Sequence, residues 1–164
     1  MTVHSINFSL VIFPYSNFII MDNKIQKQIT LWLTSACLLI FLMVIIGGIT
    51  RLTHSGLSIV EWHPISGIIP PISDTAWQEE FTKYKQFSEY QKINPQMTLD
   101  EFKFIFFWEY IHRLIGRLLG ILFIIPFAYF YIKKELKSPL IKKLLFMFFL
   151  GGLQGLYGWY MVQS

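Results

Sequence analysis

The run Phe107-Trp108-Glu109-Tyr110-Ile111-His112-Arg113-Leu114-Ile115-Gly116-Arg117-Leu118-Leu119-Gly120 places a carboxylate, an imidazole and two guanidinium groups at the mouth of an apolar segment, ILFIIPFAYFYI. Charge at membrane depth costs about 2.5 kcal/mol or more per group, so an ionisable cluster there is a functional signal. On a helix, Glu109, His112, Gly116 and Gly120 share one stripe, and Arg113 lies one turn from both Glu109 and Arg117. Imidazole commonly holds haem iron, and a carboxylate one turn away can orient a ligand or move a proton. A flat macrocycle held by His112 could lie against the two glycines, with the arginines matched to its propionates. A packing reading uses the same residues. Glycines at four-residue spacing let helices approach closely, and Arg113 and Arg117 serve equally by pairing with Glu109 or by reaching lipid phosphates.

The elements that must position this stripe are membrane spans. The chain has 164 residues, 54% of them hydrophobic and 15% charged, with a mean hydropathy of +0.48. A soluble domain carries about 25% charged residues. The fold class read from this is an all-α integral membrane protein. Its pI near 9.2 does not point to nucleic acid. Five of the fourteen basic residues crowd into KKELKSPLIKK, a cytoplasmic loop under the positive-inside rule. The single cysteine, Cys37, lies in an apolar run, so no intrachain disulfide forms and no redox compartment follows.

Three stretches reach the ~20 apolar residues that a span requires: residues 29–49, 108–132 and 144–162. Lys24 and Lys27 before the first span, and the basic loop 133–143 between the second and third, agree on an N-in, C-out topology. The outer segment, 50–107, holds seven acidic and five basic residues from Arg51 onward, as an outside location allows. Within it, HPISGIIPPISDTAW reads as a folded-back piece lying on the membrane surface. Ser73 is placed to cap a helix bearing Trp77, Phe81, Tyr84 and Phe87, and Thr98 with Glu101 forms a capping-box pattern. One or two short amphipathic helices are expected there, either capping the bundle or covering a ligand. In the N-terminal cytoplasmic segment, 1–28, the first twenty residues make a poor signal or transit peptide, and Met21 is a candidate start. His4 carries no functional weight.

Three stretches, GGITRLTHSGLSIVEWHPISGIIPP, FKFIFFWEYIHRLIGR and GGLQGLYGWYMVQS, resemble the haem A synthase (COX15/CtaA) family over residues 25 to 164, in the order and spacing of its N-terminal half. The resemblance implies eight spans in two four-helix halves, a substrate-haem site in the first half and haem b in the second. It implies stepwise oxidation of a haem O methyl group to the formyl group of haem A. By motif, Glu109 is the acidic residue implicated in the chemistry and His112 an axial ligand of the haem iron. Arg113 and Arg51, the latter from TRLT, are implied as supporting residues near the haem edge, and Gly116 belongs to the same haem-binding stripe. His63 departs from the pattern, standing in EWHP where the family usually has Lys or Arg, and His54 sits at a variable place as an outer-loop residue. The chain also stops where the family continues, so three helices of a truncated four-helix bundle are expected.

Implied partners are membrane lipid, haem O, a haem O synthase and a chain supplying the C-terminal half. The implied location is a bacterial inner membrane, in preference to the mitochondrial one. Two other classes remain open. One is a three-span haem-carrying anchor for electron transfer, against which counts the single deep histidine. The other is a haem-free assembly protein whose charged stripe packs helices.

Overall fold

The computed structural model describes residues 23–61 and 68–163. His4, Met21 and His63 lie outside them. The described residues form five helices and no strand: α1 (Asn23–Leu52), α2 (Asp74–Lys85), α3 (Ser88–Lys92), α4 (Leu99–Ile132) and α5 (Ser138–Gln163). The protein is an all-helical membrane protein, with α1, α4 and α5 long and apolar enough to cross a bilayer.

Each long helix outruns the apolar stretch that marks it. The difference is largest for α4, whose start is set by capping chemistry. Thr98 Oγ1 accepts from the Glu101 N–H, and the Glu101 carboxylate accepts from the Thr98 N–H at 2.7 Å. That reciprocal pair nucleates helix in polar TLDE, well before the apolar run. With 34 residues, α4 is about 51 Å long against a hydrocarbon core of ~30 Å. Its first turns therefore stand outside the membrane as part of the α2–α3 layer.

That layer has its own core. Phe102, fully buried, stacks on Tyr84 at 5.2 Å and lies 5.0 Å from Phe81, while Trp77 meets Phe106 edge-on at 5.0 Å. Ser73 caps α2 by accepting from the Ala76 N–H at 3.2 Å. Asn94 Nδ2 donates to Tyr84 Oη at 2.9 Å, giving the buried phenol a polar partner.

A second core, at the opposite and lysine-rich end, joins α1, α4 and α5 through Ile29, Trp32, Phe130, Leu136 and Leu144. Pro126 lies inside α4 and has no N–H, so the Leu122 carbonyl one turn back has no intrahelical donor. The Trp32 indole N–H of α1 donates to that carbonyl at 2.8 Å. In a medium without water each unmet backbone group costs several kcal/mol, so this bond makes the proline tolerable and fixes the pairing of α1 with α4. α5 adds Phe148 against Phe123, 5.8 Å apart. Its later half is exposed, with Leu156 at 60% and Tyr160 at 64%.

α1 ends in a Schellman turn. His54 takes the left-handed position at φ 52, its N–H bonds the Arg51 carbonyl, and the Ser55 N–H reaches back to Thr50 O at 2.9 Å. His54 is thus a turn residue at the end of α1.

Candidate functional site

The turn after α1 delivers Ser55–Glu61 onto α4, and the charged residues of FWEYIHRLIGR receive it. Glu109 is 4% exposed. Its Oε2 accepts from Ser58 Oγ at 2.7 Å and from the Ile59 N–H at 2.8 Å, and its Oε1 accepts from Arg113 Nη2. The same guanidinium donates to the Ile59 carbonyl at 2.8 Å and to the Glu61 carbonyl at 3.4 Å. The Glu109 carboxylate is thus met by a guanidinium, a backbone N–H and a hydroxyl among the described residues. The pair is therefore a buried ion pair that also bonds the backbone of residues 59–61. Lys83 of α2 secures the same stretch from the other side, 3.0 Å from Glu61 and 2.9 Å from Glu80. Those two hydrogen bonds, first Glu80 and then Glu61, raise the Lys83 pKa above its usual value. Beyond residue 67, Tyr110 Oη donates to the Ile68 carbonyl at 2.7 Å.

His112 lies one turn further along α4, half-buried at the seam with α1. A Cβ on Gly47 would sit 3.2 Å from His112 Nε2, so the missing side chain makes room for the imidazole. Neither ring nitrogen has a hydrogen-bond partner among the described residues. His112 lies 20 residues before Ile132, about 30 Å along the axis, which places it at the membrane boundary rather than at mid-depth.

The stripe of Glu109, His112 and Gly116 faces α1 and the turn that follows it. Gly116 looks onto Met43 Cε at 3.6 Å, an ordinary packing contact, whereas Gly120 has open space beside it. Arg51 is exposed at the end of α1 and takes no part in the Glu109–Arg113 network. The structure therefore joins Glu109, Arg113 and His112 along one face and leaves Arg51 apart. Ser58, the Ile59 amide and Gly47 escaped sequence reasoning. The signal for Gly47 was present in IIGGIT, two glycines inside a span facing a histidine helix. Ser58 and Ile59 had none, since their role depends on a tertiary turn.

Among the described residues no three His, Cys, Asp or Glu side chains gather as a metal site. Among the described residues of the membrane helices, His112 is the one that offers an imidazole, the kind of side chain that commonly holds haem iron.

An all-helical membrane bundle with an ion pair and a histidine at one helix mouth is the class that fold and site define. The COX15-CtaA family model, described as cytochrome oxidase assembly protein, matches residues 30–164, and the chain belongs to this haem A synthase family. It is 56% identical over 140 residues to a protein of Nitrosospira multiformis named "Heme A synthase", covering 85% of this chain and 39% of that one. Proteins of the same name from Flavobacterium psychrophilum and Parvibaculum lavamentivorans are 50% and 46% identical, with 86% and 93% of this chain covered and 42% and 44% of theirs. The chain thus spans about two-fifths of the length of the curated relatives it matches. No solved structure matches it.

Proposed function

We propose that this chain is the N-terminal, substrate-haem half of a haem A synthase, in which a methyl group of haem O is oxidised to the formyl group of haem A. The observation that carries the reading is the His112 imidazole. It is set against Gly47, with neither nitrogen partnered among the described residues, one turn from Glu109 and beside Arg113. His112 supplies one axial ligand to the iron of the substrate. Glu109, oriented by Ser58, Ile59 and Arg113, is the group that holds or moves a proton near the reacting edge. Arg113, and more remotely Arg51, offer positive charge to propionates, and the Gly116–Gly120 side of α4 supplies close approach. Haem b belongs to the other half, which lies in a partner chain or in further sequence. Haem O is delivered by a haem O synthase in the same bacterial inner membrane, with Lys24, Lys27 and the 133–143 loop on the cytoplasmic side.

By itself this stretch is inactive. His112 is the one histidine in the described membrane helices, and a Cβ built on Gly151, Gly152, Gly155 or Gly158 of α5 would meet none of the described residues within 4 Å, which leaves that face of α5 open to further helices. A second reading, a non-enzymatic haem-carrying or assembly subunit, draws on the fully occupied Glu109 carboxylate, which already has a structural task. The test is to express residues 21–164, alone and with a chain supplying the C-terminal half of a relative, in cells that make haem O but lack haem A synthase. Extracted haems should contain haem A only in the co-expressing cells, and Glu109→Gln should leave haem O unoxidised there. Haem A from residues 21–164 alone would contradict the half-site reading. Normal haem A from Glu109→Gln would remove Glu109 from the chemistry.

A further inference from the structure

The α2–α3 layer has a core built on Phe81, Tyr84 and Phe102, and one isoleucine-rich run stays out of it. Ile68, Ile69 and Ile72, in Ile-Ile-Pro-Pro-Ile, are 46%, 71% and 85% exposed. No Asp, Glu, Lys or Arg stands between Glu61 and Asp74, although the rest of the 50–107 segment is well charged. The level of the run is fixed by the Tyr110 hydroxyl on the Ile68 carbonyl, 2.7 Å apart. Tyr110 lies 22 residues before Ile132, about 33 Å along α4, just past the edge of a ~30 Å hydrocarbon core. The run is thus held at the depth where acyl chains meet headgroups. Pro70 and Pro71 have no N–H, so two donors that would need partners in an apolar layer are missing from the backbone.

We propose that Ile68–Ile72 is a lipid-seated wedge, with Ile69 and Ile72 entering the acyl boundary of the leaflet on the α2–α3 side. The partner is bilayer lipid, recognised through its apolar chains. With no basic residue in the run, anionic headgroups add nothing. The seat matters to the rest of the molecule because the wedge and the Glu109–Arg113 clamp hold opposite ends of the same segment on α4.

The test uses the full chain in phosphatidylcholine nanodiscs, with Cys37→Ser and one new cysteine at Ile69, Ile72 or, as the water-facing control on α2, Thr82. Each is labelled with nitrobenzoxadiazole. At 69 and 72 the emission should be blue-shifted and quenched several-fold more by a nitroxide high on the acyl chain than by aqueous iodide. Label at 82 should show the reverse order, and anionic lipid should change neither. Iodide quenching at 69 and 72 equal to that at 82 would overturn the wedge. Protection from both quenchers would also overturn it, because protein rather than lipid would then cover the run.

Discussion

Arg113→Met removes the cation from a pair whose side chains are 5% exposed at Glu109 and 13% at Arg113. Glu109 would keep the Ser58 and Ile59 donors but lose its charge partner, and breaking a buried pair from one side costs about 3–5 kcal/mol. The bonds from Arg113 to the Ile59 and Glu61 carbonyls go with it, so the loss falls on the clamp over residues 58–61. Hydrogen exchange of the Ile59 amide reads that clamp directly, because the amide itself donates to Glu109 Oε2. At tenfold per ~1.4 kcal/mol, exchange across residues 55–61 should quicken by about two orders of magnitude or more. The Trp77–Phe102 core should change much less. Adding Glu109→Gln to Arg113→Met removes the stranded charge, and a coupling of about 2–3 kcal/mol should return part of the protection. Unchanged exchange in Arg113→Met, or a double variant whose loss equals the sum of the singles, would refute the clamp.

Three further outcomes follow from single contacts. Trp32→Phe strands the Leu122 carbonyl above Pro126 and should lower stability in mixed micelles by about 1–3 kcal/mol; Pro126→Ala in that background should recover most of it, by restoring an N–H on α4. Gly47→Ala puts a Cβ 3.2 Å from His112 Nε2 and should shift the haem absorption of the completed enzyme, whereas Gly48→Ala, with open space beside it, should leave it unchanged. Burial raises the Tyr84 hydroxyl pKa above its ordinary value of 10.0, with the Asn94 hydrogen bond opposing it. The folded state then holds the Tyr84 proton more tightly than the unfolded one, so that share of stability is present below pH ~10 and is lost as pH rises past it. Alkaline titration followed by tyrosinate absorbance should therefore show Tyr84 ionising with the opening of the α2–α3 layer; free ionisation near the ordinary value would contradict this.

Hydropathy marked the three membrane helices because lipid imposes length and composition directly, and the caps at Ser73 and Thr98 were legible because capping is a local matter of three residues. The start of α4 was not legible from hydropathy, since the Thr98–Glu101 box begins the helix in polar sequence. The stripe of Glu109, His112 and Gly116 was legible as a stripe, but not its facing. Periodicity fixes which residues share a face, whereas Met43, Gly47 and the turn at His54 determine what lies opposite. The pairing of Arg113 with Glu109 was one of three uses open to it, beside haem propionates and lipid phosphates, and the buried Ser58 turn favours that one.

The most direct measurement is the haem spectrum of this chain co-expressed with the C-terminal half of a relative, comparing wild type with His112→Ala with and without added imidazole. His112→Ala should lose the signal of the haem held in this half, and imidazole should restore part of it by filling the vacated axial position. An unchanged spectrum and haem content in His112→Ala would contradict the assignment of the substrate site to the mouth of α4.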